Sequence, residues 1–348
     1  MEAPVKRSAA RAGRVATRGR VTIKDIARVA GVSVTTVSDA LSGNGRLTSD
    51  TRRRVREIAD ELGYRPSAAA RSLVGARTGL LLMSVSAPGT ECSSLWNIDF
   101  FTNLMTAAAI RSAERGFALA LSPASVPPNL SYDGAIVVDP TAADDGLLAQ
   151  AARDGIPVVT VGRTPNGHPW VDNDYPTLIP AIMDHFRAAG ARRPALLAGD
   201  PATSYVRDTV EQYTRWCRAH RCAARIAYVE DGITEESGRS AVKGLLSART
   251  RSDAVLATLD RLALGVTAAV EELGLSVPDD VLVAALSDSA TIRHSRVPIT
   301  AIDLMPDQIG TVAVDSLIVR ITGGAAPNRV VAGKLRPRAS TCRQRGES

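Results

Sequence analysis

The sequence predicts a small all-α helix-turn-helix head joined to a larger α/β body of two lobes with parallel sheets. Three observations predict it. Residues 21–66 carry helical periodicity cut by turn residues at Gly31 and at Gly43-Asn44-Gly45. From Gly79 onward, short β-rich runs alternate with helical stretches, the pattern of parallel sheets covered on both faces. The charge is uneven: residues 1–78 hold 16 Lys and Arg against 7 Asp and Glu, a net of +9, whereas the rest holds 26 against 29, a net of −3. A basic head on a slightly acidic body suits contact with a polyanion, although a solvated basic tail gives the same count.

In the head, Thr22 with Asp25 three residues on fits a capping box, and Ile26, Ala27 and Ala30 recur at helical spacing. Gly31 breaks the pattern where a tight turn belongs. Ser33 is an N-cap residue for a second helix in which Val37, Ala40 and Leu41 share one face. Its other face shows Thr35, Thr36, Ser38, Asp39 and Ser42. A third helix starts near Thr48 or Ser49, with Val55, Ile58, Ala59 and Leu62 on one side and Arg52, Arg53, Arg54 and Arg56 on the other. Two short helices joined across Gly31-Val32 and braced by a third make a helix-turn-helix. Short polar side chains on the second helix suit close approach to base edges in a major groove, and equally suit a solvent face.

Residues 67–74 are rich in helix formers but too few to form an isolated helix in water, so they read as a linker that needs a partner surface to order. Strands are expected in the body at 80–85, 117–122, 135–138, 157–161, 195–198, 226–229, 254–257 and 281–286. Helical stretches lie between most of them, for example at 103–115 and 261–273. Some 270 residues exceed one comfortable set of layers, hence two lobes with a ligand cleft between them.

Other chemistries find little support. No apolar run reaches membrane-span length, and the basic N-terminus has no apolar core of a secretory signal. The four cysteines, Cys92, Cys217, Cys222 and Cys342, show no C-x-x-C spacing, so neither a disulfide framework nor a zinc site is expected. There is no phosphate-binding loop, no nucleophile elbow and no H-E-x-x-H pair, and the four histidines are scattered. No cofactor, metal or enzymatic activity is expected.

The stretches VTIKDIARVAGVSVTTVSDALSG and TRRRVREIADELGYRPSAAARSL resemble, without gaps, the headpiece of the lactose-repressor (LacI) family of bacterial transcription regulators. Weaker matches continue through the body: Asp99-Phe100-Phe101, residues 133–136 and 155–159, Val171-Asp172-Asn173, residues 257–265 and 274–281, Pro298-Ile299-Thr300 and Ile309-Gly310. The resemblance implies a body of the type I periplasmic-binding-protein kind. It implies that Thr22, Ser33, Ser38 and Thr51 contact phosphates, that Val34, Thr35 and Asp39 read bases, and that Arg46 lies near the backbone. It also implies that the linker pairs with its twin in the minor groove, where Leu73 wedges between base steps, Ala70 permits close approach and Arg71 touches phosphate or groove. For the effector it points to Phe101, Arg207, Asp260 and Asp288. Phe101 also reads as core, and Arg207 with Asp260 as a salt bridge between lobes.

This sequence departs from the family at several of these places. Asp39 stands where Arg is usual; it cannot grip guanine as Arg does, and either accepts from the amino group of cytosine or only repels phosphate. Leu259 replaces the usual Asn, Ser287 the first Asp of a pair, Gly232 a stacking aromatic, and residues 123–131 are a shortened crossover. With aromatics at only 4%, a simple hexose effector is poorly provided for.

The expected organisation is a disordered basic tail (1–20), a DNA-binding domain (21–66), a hinge (67–76) and a ligand-binding and dimerisation domain (77–348). The expected function is a cytoplasmic, nucleoid-associated regulator, most often a repressor. It binds a near-palindromic operator of double-stranded DNA as a homodimer, under a small-molecule effector. The rivals are an effector-independent or architectural DNA binder and a solute-binding protein. The C-terminus shows no heptad for a coiled-coil tetramer.

Overall fold

A computed structural model describes residues 21–42, 47–62, 64, 77–86, 98–122, 130–141, 146–164, 167–230 and 232–343. The chain forms two compact units that divide after Thr78.

The first unit contains α1 (Ile23–Ala30), α2 (Val34–Ser42) and α3 (Ser49–Glu61). Thr22 opens α1: its N–H and hydroxyl both donate to Asp25, at 3.0 and 2.7 Å. Gly31 ends it with φ of +67°, a left-handed turn that other residues adopt at a cost. Ser33 Oγ accepts from Thr36 N–H at 3.0 Å and so starts α2 at the next residue, Val34. Thr48 caps α3 in the same way, accepting from Thr51 N–H at 3.3 Å. The apolar faces meet in one core of Ile26, Ala27, Ala30, Val37, Ala40, Val55 and Ala59.

The second unit has two lobes, each built on a six-stranded sheet. The first sheet contains β1 (Leu80–Val85), β2 (Ala118–Ser122), β3 (Gly134–Val138), β4 (Val158–Val161), β5 (Trp170–Asn173) and β11 (Arg329–Val331), in the order β11-β5-β4-β3-β1-β2 and parallel throughout. The second contains β6 (Pro194–Ala198), β7 (Ile226–Tyr228), β8 (Ala254–Ala257), β9 (Leu282–Ala285), β10 (Thr300–Asp303) and β12 (Lys334–Arg336), in the order β12-β10-β9-β8-β6-β7. It departs from the all-parallel expectation at one edge, where β12 runs antiparallel to β10. The link from β11 in one lobe to β12 in the other is only two residues long. The short link between β2 and β3 still places both beside β1.

Helices α4 (Asp99–Glu114), α5 (Gly146–Asp154) and α11 (Pro306–Ile321) cover the first sheet; α6 (Tyr175–Ala188), α7 (Ser204–Ala219), α8 (Glu235–Ser247), α9 (Asp260–Glu272) and the short α10 (Ala290–Arg293) belong to the second lobe. Central strands such as β3, β4, β8 and β9 are buried at every residue, as a sheet covered on both faces requires. The chain crosses between lobes three times, after β5, after β10 and after β11. Asn173 ties these crossings together: its side-chain amide donates to Leu304 O at 3.0 Å and to Val331 O at 2.9 Å, one carbonyl beside each of the other two crossings.

Among the described residues no helix is long and apolar enough to cross a membrane, and no group of three or more His, Cys, Asp or Glu could hold a metal ion.

Candidate functional site

Two places in the chain have the build of a site, one in each unit. In the first unit the burial of Val37 and Ala40 turns the opposite side of α2 outward. Val34 is 42% exposed, Thr35 and Ser33 are exposed, and Ser38 and Asp39 on the next turn are half-buried. Thr22 is exposed at the start of α1, and Thr51 is half-buried in the first turn of α3. The hydroxyls of Thr22, Ser33 and Thr51 are therefore at helix N-termini, where backbone N–H groups and the helix dipole favour an anion such as phosphate. Arg46, Ala70, Arg71 and Leu73 lie outside the described residues. On α3, Arg53 and Arg54 are exposed, with Arg53 bonded to Asp50 at 2.8 Å.

In the second unit a cavity of about 50 Å³ lies between the lobes at the C-terminal ends of β3, β4 and β5. This is where an open α/β sheet places its ligands. Phe101 lines it, buried and edge-on to Phe100 at 5.3 Å. The other three effector candidates do not reach it. The Arg207 guanidinium turns back to donate to the Ala202 carbonyl. Asp260 is the first residue of α9, and its carboxylate accepts from the neighbouring Arg261 N–H at 2.9 Å. Asp288 is held by Arg338 at 2.8 Å and Arg293 at 3.5 Å and faces a separate hollow beside α4. The Arg207–Asp260 bridge that the sequence allows is therefore not made. Gly232 is exposed and outside the lining.

The polar groups of the cavity are others. Asp139, directly after β3, is 8% exposed, and its Oδ1 accepts from Ser204 N–H at 3.0 Å and Ser204 Oγ at 3.2 Å. This ties the first lobe to the N-terminus of α7 in the second. Asp139 has φ of +53°, a strained value for a residue with a side chain, of the kind that collects at functional positions. Burial pushes its carboxyl up to about 7 against the lowering effect of the Ser204 hydrogen bonds. Gly162 makes the contact possible, because a Cβ there would lie 2.3 Å from Ser204 Oγ. Asp172, on β5, is 5% exposed and is likewise pushed up to about 7 by burial. Its Oδ1 accepts from Asn173 N–H at 2.8 Å. Arg163 lies over the Trp170 ring at 4.9 Å and faces Asp172 at 3.4 Å and Asp208 of α7 at 3.9 Å, a second link between lobes. A third joins Asp99 at the start of α4 to Ala290 N–H at 3.0 Å. Asp139 and Asp172 escape a reading by motif; a charged residue directly after or ending a buried strand is the signal that marks them.

The head, residues 22–67, matches the model of bacterial regulatory proteins of the lacI family. The head thus carries the DNA-binding domain of that family. Residues 183–341 of the body match the periplasmic binding protein-like domain. Along the whole chain it is 28% identical over 326 residues to the HTH-type transcriptional regulator CelR of Thermobifida fusca, covering 88% of this chain and 93% of that one. It is 26% identical over 317 residues to the HTH-type transcriptional repressor PurR of Haemophilus influenzae, covering 86% and 91%. The fold is that of the lac repressor dimer bound to operator and the anti-inducer ONPF, with a TM-score of 0.75 and 23% identity over 93% of this chain and 99% of that one. A CelR–cellobiose complex superposes with a TM-score of 0.67 at 26% identity, covering 92% and 100%. With a head and a body of this kind the chain is a DNA-binding transcription regulator similar to those of the lacI family.

Proposed function

We propose that this chain is a repressor that binds a near-palindromic operator as a homodimer, with an affinity set by a small molecule held between the lobes of the body. The observation that carries this reading is the outward face of α2, Val34, Thr35, Ser38 and Asp39, set over a buried three-helix core. In the proposed division of labour, residues 21–66 read the DNA, 67–76 couple, and 77–348 bind the effector and dimerise. Symmetric half-sites follow from two-fold symmetry of the protein. Differential binding of the effector to two lobe arrangements, worth a few kcal/mol, is enough to shift DNA affinity. The chain acts in the cytoplasm on the nucleoid and catalyses no reaction.

The reading is tested by selecting bound duplexes from a random pool with the purified protein. Enrichment of two inverted half-sites at fixed spacing is expected. A pool that stays random after repeated rounds contradicts it.

One observation favours a second reading, regulation without an effector. The Asp139–Ser204 tie joins the lobes with the protein's own groups, and the cavity left has room for about four water molecules, far less than a disaccharide. Operator affinity that no metabolite fraction changes would support that reading.

A further inference from the structure

The interlobe cavity has the electrostatic character of a site for a cation. Among the described residues its lining includes two carboxylates, Asp139 and Asp172, and no Lys, Arg or His. Much of the remaining wall is aromatic, with Phe101, Tyr175 and Tyr205. Two buried carboxylates are costly to keep ionised, and the one guanidinium described beside them, that of Arg163, stands outside the lining and faces Asp172 alone of the two.

The two differ in what they still lack. Asp139 is served from within the protein by both donors of Ser204. Asp172 is not. One of its oxygens accepts from Asn173, whereas Oδ2 is buried without any hydrogen bond. The group nearest to it, Arg163 Nε, stands 3.4 Å away without hydrogen-bond alignment, and the same guanidinium also faces Asp208. Arg163 is 41% exposed on its side chain, so its charge is largely spent on solvent and on the Trp170 ring. A buried acceptor without a donor marks a place where a partner is missing.

We propose that this cavity takes a small organic cation, a primary or secondary ammonium whose N–H donates to Asp172 Oδ2 while its carbon atoms pack on the aromatic wall. This rests on the reading that the cavity is the effector site, and it names the class of effector. A neutral hydroxyl also satisfies Oδ2, but it brings no charge, and the cation beside Asp172, Arg163, is half-exposed and shared with Asp208. An ammonium supplies the hydrogen bond and the charge together, and aromatic faces add to its attraction. About four water-sized groups fit in the cavity, which is the size of ethanolamine.

The test pairs each amine with its neutral counterpart: ethanolamine with ethylene glycol, and glucosamine with glucose. Each is titrated at millimolar concentration against the full chain, with the melting temperature as the readout. The expected result is a rise with at least one amine and none with its neutral counterpart. Asp172→Asn, which keeps the shape and the Asn173 contact, is expected to weaken the amine at least about tenfold. Circular dichroism and duplex binding of the variant report that it folds. A neutral counterpart that stabilises equally, an Asp172→Asn variant that keeps the response, or an absence of stabilisation by both amines overturns the cation. A neutral metabolite that changes operator affinity without any effect of the amines overturns the cation and leaves the effector reading standing.

Discussion

Asp139 and Asp172 carry the residue-scale consequences that are easiest to measure. Burial holds both carboxyls at about 7, above the usual 3.8. An acid raised in the folded state contributes stability that is complete below its unfolded value and is lost as pH climbs through the folded one. The window is therefore from about pH 4 to pH 7. His168 and His185, both lowered by burial, act in the opposite sense over part of that window, so the wild-type curve alone mixes the two. Comparison with an Asp139→Asn/Asp172→Asn variant removes them. Between about pH 4 and pH 7 the melting temperature of the wild type is expected to fall relative to the variant. Parallel curves would show that neither carboxyl is shifted. In the head, Asp39 cannot make the paired contact to guanine that an arginine makes, but it can accept from cytosine. Site selection with Asp39→Arg is expected to change the preferred base at one symmetric pair of positions and nowhere else. An unchanged preference would remove Asp39 from base reading.

At the scale of elements, two small groups hold large pieces in place. Ser33 satisfies an otherwise orphaned N–H at the start of α2. Ser33→Ala is expected to lower the stability of the head by about 1 kcal/mol, measured by denaturant unfolding, with loss of DNA affinity beyond that if the hydroxyl also meets phosphate. Asn173 bridges the three crossings between the lobes. Asn173→Ala leaves two buried carbonyls without their donor and is expected to cost the body about 2–4 kcal/mol. A loss under half a kcal/mol would show that water replaces the amide.

Much of this scale was legible in the sequence. The central strands lie within a residue or two of expectation because their branched apolar runs suit burial on both faces. The helices at 103–115 and 261–273 begin earlier, at Asp99 and Asp260, because an acidic residue belongs in the first turn of a helix. Four strands went unmarked. Trp170–Asn173 and Thr300–Asp303 overlap weaker family matches without a strand pattern of their own, and Arg329–Val331 and Lys334–Arg336 are three-residue edges whose charged residues look like loop. Only tertiary pairing makes them strands. The site was less legible than the fold. Asp139 and Asp172 are 33 positions apart and meet because β3, β4 and β5 lie side by side. Asp260 and Arg207, by contrast, are charged residues near the cleft in sequence whose side chains are satisfied locally.

For the whole molecule, the charge division puts nearly all of the attraction for DNA in the first 78 residues. Binding is therefore expected to weaken steeply with salt, the logarithm of the affinity falling linearly with the logarithm of salt concentration. Neutralising Arg53 and Arg54 to Gln is expected to weaken all sequences alike, because such contacts set register without reading bases. The body, with its net of −3, adds no net attraction for a polyanion. The central claim concerns α2: its outward face discriminates among base pairs. The most direct measurement is fluorescence anisotropy of the purified chain titrated onto the selected duplex and onto a shuffled duplex of equal length, at physiological salt. The selected duplex is expected to bind at least about a thousandfold more tightly. Equal affinity for the two duplexes would contradict the account.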